Sequence, residues 1–232
     1  MKKGIFRIGD LVWLAVLALA VGLMVSPLTS KTYIELNKAY PYVLGFIKFF
    51  VLASMGELLA NRIATKEWKK TIGFFYKALL WGFYGMIITL AFKVFATGVQ
   101  ETMNVGFLPG AGSTFLFALF ASTCMNLMFA PGMMAMHKFT DTFVDIAVTK
   151  SLKEAKVSTV LKTVDWPAFI DFIVLKTIPF FWIPMHTITF LLAPELRVAM
   201  AALLSVAFGI LTAAAKLSAM KKAALKTAKG KK

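Results

Sequence analysis

The chain has 232 residues, of which 59% are hydrophobic and 16% charged, with a mean hydropathy of +0.76. Soluble domains are closer to half apolar and a quarter charged, so an ordinary soluble enzyme is excluded, and 22 phenylalanines exclude disorder. The net charge of +15 is unusual on so apolar a chain, and the single cysteine excludes an internal disulfide.

A membrane-spanning helix needs about 20 mostly apolar residues. Six segments meet that need, at residues 11–28, 41–60, 72–96, 113–136, 168–192 and 196–215. The expected fold is therefore all-α: a polytopic membrane helix bundle of about six spans, forming one integral domain over residues 1–232. The first segment follows Lys2, Lys3 and Arg7 and could be read as a signal peptide. Its exit, Val25-Ser26-Pro27-Leu28-Thr29, lacks a small-x-small cleavage site, so a retained anchor helix is expected.

The basic residues sort by side. Nineteen of the 26 fall in the N-terminus, the second and fourth inter-span stretches and the tail, against Lys31, Lys38 and Arg197 on the opposite side. The positive-inside rule then predicts six crossings with both termini inside. Residues 106–112 read as a tight turn, and residues 138–164 as an inner polar loop. Within that loop Val157, Val160, Leu161 and Val164 recur at helical spacing, giving a short amphipathic helix. It either lies on the membrane interface or packs on the bundle. Residues 216–232 form a basic tail able to contact anionic lipid. Nucleic acid is not an expected partner, since the lysines are dispersed and lack interleaved aromatics.

Helices in lipid associate through small residues. Three rows stand out: Ala18, Gly22 and Ser26; Ala118, Ser122, Asn126 and Ala130; and Ala201, Ser205, Gly209 and Ala213. Such seams also suit a homo-oligomer. Charged and amide groups within spans are costly and mark protein interior or water-filled paths. The candidates are Lys48, Glu57, Lys77, Asn126, Asp171, Lys176 and His186, with spans two, three and five expected to line a polar interior. Glu57 and Lys77 lie at comparable depth and are expected to pair. Asp171 and Lys176, at i and i+5, need not face each other, and Pro179 and Pro184 break the fifth span. Asn126 is expected to bond between helices.

No Walker loop, GxSxG or HExxH motif is present, so no enzymatic activity or cofactor is expected. Met133, Met134, Met136 and His137, with Cys124 upstream, contain soft ligands that copper could use. Thioethers also fill cores, and no metal is expected.

Four stretches resemble one family in order. Tyr33, Leu36 and Pro41 precede Gly56-Glu57-Leu58-Leu59-Ala60-Asn61; Gly85 and Phe92 follow, then Met125-Asn126-Leu127-Met128-Phe129-Ala130-Pro131, then Trp182, Phe190 and Pro194 with Arg197 close behind. This pattern is similar to that of the Mpv-seventeen/PMP family, small integral proteins of peroxisomal and inner mitochondrial membranes. The match departs from the family pattern at Met86, Thr89, Ala91 and Met125, and it covers residues 33–215. The resemblance implies a compact helical bundle with a four-helix core, acting as a weakly selective conduit for small solutes. A non-conducting structural or adaptor protein and a secondary transporter are the alternatives. The lysine-dense inner face and the lack of an Arg/Ser-rich leader lean toward a prokaryotic cytoplasmic membrane.

Overall fold

In a computed structural model, residues 6–229 are described, except for the side chains of residues 215, 216 and 219–229. Among the described residues the chain is all helical. The helices are α1 (Ile8–Val25), α2 (Ser30–Ala39), α3 (Pro41–Thr65), α4 (Phe74–Asn104), α5 (Thr114–Met128), α6 (Ala130–Thr149), α7 (Val157–Thr163), α8 (Trp166–Phe169), α9 (Ile183–Leu191) and α10 (Pro194–Lys229). A π-helix over Ile170–Trp182 joins α8 to α9. Five continuous helical stretches are long and apolar enough to cross a membrane, and α5 with α6 makes a sixth if their 44° bend lies within one span.

The boundaries follow local chemistry. Pro41 opens α3 in the first turn, where its missing N–H costs nothing, and Lys66 closes it in a left-handed conformation. The α5–α6 break falls at Phe129, just before Pro131, which cannot donate the backbone hydrogen bond that would continue α5. Pro179 lies inside the π-helix and Pro184 in the first turn of α9.

The core is α3 packed between α4 and α10, with α5 and α9 against them. Backbone contact is close at two points. A Cβ at Gly56 would lie 2.6 Å from the Ser205 carbonyl oxygen, with Gly209 on the same seam. Gly45 and Gly85 meet likewise between α3 and α4, where a Cβ at Gly85 would lie 2.7 Å from that of Phe49. The row of Ala201, Ser205 and Gly209 therefore faces α3, and Ala118 and Ser122 are fully buried on α5.

Several expectations require correction. Among the described residues the row on α1 finds no partner helix: Ala18 is exposed and no atom lies within 4 Å of where a Cβ of Gly22 would sit. Trp13, Leu17, Ala20 and Met24 pack on the core instead, and Trp13 Nε1 donates to the Met55 carbonyl at 3.0 Å. These four recur at helical spacing on one face of α1, and Ala18 and Gly22 lie off that face. Residues 138–149 belong to α6 rather than to a polar loop. Val160 of α7 and Val164 just after it pack with Ile146 and Ala155, while Val157 and Leu161 are 63% and 46% exposed, so the helix rests on α6 by half of its apolar face. The basic tail's contact with anionic lipid concerns side chains outside the described residues.

Polar contacts tie the helix ends together. Arg62 meets Asp10 at 3.0 Å and Trp68 Nε1 donates to the same carboxylate at 2.9 Å, joining the start of α1 to the end of α3. Lys77 meets Asp145 at 2.8 Å, joining the start of α4 to the end of α6. At the opposite end of α3, Lys38 of α2 meets Glu195 of α10 at 3.4 Å.

Candidate functional site: two cavities in series

The buried polar cluster is built around Asn126, which is 0% exposed. Its Nδ2 donates to the Ser122 carbonyl at 2.9 Å, and its amide meets His186 Nδ1 at 3.0 Å from nitrogen and 3.2 Å from oxygen. Ser122 Oγ donates across the same seam to the Ile183 carbonyl at 2.7 Å. The α5–α9 interface is thus stitched by side chains whose polar atoms would otherwise face hydrocarbon. The His186 ring lies 5.5 Å from Phe92 and 5.2 Å from Trp182, so aromatic faces close around it.

Asn126 and His186 line an interior cavity of about 240 Å³. Glu57, His137 and Asp141 line it from α3 and α6, between walls that include Trp81, Phe92, Phe129, Met133 and Phe208. Thr71 Oγ1 donates to Glu57 at 2.6 Å, and the His137 ring packs at 4.0 Å on that of Trp81. His137 Nε2 and Asp141 Oδ1 face each other at 3.7 Å without a hydrogen bond. The expected Glu57–Lys77 pair does not form. Thr71 takes the carboxylate and Asp145 the ammonium, because α6 runs on past residue 138 and brings Asp145 to the start of α4.

A second cavity of about 700 Å³ lies at the other end of the bundle. Lys48, Lys93 and Arg197 line it together with Asn37, Glu101 and Glu195. Lys48 is buried, donates to Asn37 Oδ1 and lies 5.3 Å over the Tyr33 ring. Burial pushes the Tyr33 phenol up to about 12, so the ring beneath Lys48 is neutral at physiological pH. The Arg197 guanidinium sits 5.5 and 5.4 Å over Phe117 and Phe190.

Phe92 lines both cavities. Its ring is 5.0 Å from Phe190, which in turn lies 6.3 Å from Phe117, so an aromatic septum stands between the two spaces.

The expected polar set therefore divides. Glu57, Asn126 and His186 share the inner cavity, Lys48 lines the second, and Lys77 is buried against Asp145. Asp171 and Lys176 leave the interior altogether: they pair at 2.5 Å on the bundle surface, 64% and 57% exposed. The π-helix brings residues i and i+5 onto one face, contrary to α-helical expectation. Spans two, three and five do share the inner cavity, through α3, α4 and α9 with Trp182 from the end of the π-helix, and α5, α6 and α10 complete its wall. Sequence reasoning passed over Asp141 and met Phe92 and Trp182 only as positions of the family pattern, with no role on a cavity. The His137-x-x-x-Asp141 spacing, which puts both on one helix face, was the available clue.

Fold and site together define, over the described residues, an all-α bundle of membrane-length helices that carries two cavities. No family model, curated protein or solved structure matches the chain.

Proposed function

We propose that this protein is a multi-pass membrane facilitator of small solutes, held closed by the Phe92 septum. The observation that carries this reading is that, among the described residues, only Phe92 lines both cavities, so its ring is where a path along the bundle would have to open. The outer surface suits lipid: Leu19, Ile47, Phe83, Ile87, Val94, Leu127, Leu175 and Ile210 are all exposed. The paired helix ends suit six crossings, with the end bearing Asp10, Arg62 and Asp145 inside by the lysine distribution, both termini included. The resemblance to the Mpv-seventeen/PMP family points the same way, since Glu57 and Asn126 of its motif positions both line the inner cavity.

A secondary transporter is the second reading, favoured by the 44° break between α5 and α6 and by the proline-interrupted span beside it. Osmotic swelling of proteoliposomes in small polyols and small amine salts tests the proposal. Swelling well above that of empty vesicles supports it, and vesicles as tight as the empty ones overturn it in favour of a structural or adaptor protein. Flux that requires an ion gradient would support the transporter instead.

A further inference from the structure

The inner cavity is chemically lopsided. Glu57 and Asp141 line it, and no lysine or arginine is among the described residues that do. Lys77 lies within electrostatic reach of both carboxylates, but its ammonium is held by Asp145 at 2.8 Å. Three buried polar atoms on this cavity have no hydrogen-bond partner among the described residues: His137 Nε2, Asp141 Oδ1 and Trp182 Nε1. Buried polar atoms are nearly always satisfied, so three unpartnered ones on residues lining one cavity, two of them 3.7 Å apart, mark a place where something else supplies the partners.

From this arrangement we infer that the inner cavity binds a small organic cation, a protonated amine on a compact apolar body. An ammonium carries three N–H donors and no acceptor. Asp141 Oδ1 and His137 Nε2, 3.7 Å apart, are two acceptors placed to share it when His137 is neutral with its proton on Nδ1. The free valence of Glu57 offers a third. Around them Phe49, Trp81, Phe92, Phe129 and Phe208 provide faces for the cation and surface for its apolar body. A carboxylate-bearing solute would find two acidic side chains and no basic one on the described wall of this cavity. A metal ion fits poorly, because among the described residues no three His, Cys, Asp or Glu side chains come together as ligands. The second cavity has the opposite bias, with Lys38, Lys48, Lys93 and Arg197 against Glu101 and Glu195, so the preference for a cation belongs to the inner space.

This inference names the substrate class of the proposed path and rests on the inner cavity being part of it, yet it is tested by binding rather than flux. Isothermal titration of the full chain in nanodiscs of zwitterionic lipid would compare phenethylamine, 2-phenylethanol and 3-phenylpropanoate at pH 7. The amine is expected to bind about tenfold or more tightly than the alcohol, with the carboxylate weakest, since hydrogen bonds to charged groups are the stronger ones. Asp141→Asn should weaken the amine about tenfold while leaving the alcohol unchanged. Equal binding of amine and alcohol, preference for the carboxylate, or no binding at all would overturn the inference, as would a folded Asp141→Asn variant with undiminished amine affinity. If that variant does not fold, the ranking of the three probes on the unaltered protein decides alone. Amine binding in a protein whose vesicles stay tight would end the facilitator reading and leave the binding site standing.

Discussion

Replacing Asn126 by alanine tests whether the α5–α9 seam is held by its polar cluster. Asn126 is fully buried and bridges Ser122 on its own helix to His186 on the other. An interhelical hydrogen bond in a membrane protein contributes about 0.6–1.7 kcal/mol. Stranding the His186 ring nitrogen adds a desolvation cost of about 1–3 kcal/mol, because among the described residues Asn126 is the group that meets it. The expected loss is therefore about 2–4 kcal/mol, read from reversible denaturant titration in mixed micelles. A second substitution sharpens the test. With His186→Phe also present, no polar atom is stranded and the aromatic contacts with Phe92 and Trp182 persist, so the double variant should recover at least about 1 kcal/mol relative to Asn126→Ala. A loss below about 0.5 kcal/mol in the single variant would refute the reasoning, as would strictly additive losses in the double.

Other substitutions separate close packing and pore chemistry from surface decoration. Gly56→Val forces a side chain against the Ser205 backbone and should cost about 2–3 kcal/mol, whereas Gly22→Val, facing open space, should stay within about 0.5 kcal/mol in the same titration. Lys176→Glu breaks only an exposed pair and should change stability by less than about 1 kcal/mol and leave proteoliposome flux unaltered. Lys48→Glu reverses a buried charge on the second cavity and should change the relative flux of anionic and cationic solutes while the protein still inserts; unchanged selectivity would remove Lys48 from the path.

The helical architecture was legible because spanning segments announce themselves by length and hydropathy, which need no tertiary information. Asn126 and Glu57 stood out for the same reason, as polar groups in apolar runs. What sequence could not supply was direction. A lysine in a span reads identically whether it faces a cavity, as Lys48 does, or the surface, as Lys176 does. Helical phase could have separated them only if the fifth span were α-helical, and its π-helical turns rotate every later side chain away from the α pattern. Small-residue rows were similarly ambiguous. Ser205 and Gly209 meet Gly56 on α3, while no described atom lies within 4 Å of where a Cβ of Gly22 would sit, because close approach needs a matching surface on the partner helix. Asp141 was missed because α6 continues beyond the point where polarity alone suggested a loop.

The Phe92 septum remains the feature on which the functional reading turns. Stopped-flow light scattering of proteoliposomes carrying Phe92→Ala, set beside the unaltered protein and empty vesicles, measures it directly. Removing the ring that walls both cavities should raise small-solute permeability above that of the unaltered protein. Permeability equal to the unaltered protein's, in a correctly inserted Phe92→Ala variant, would contradict a path running through the two cavities.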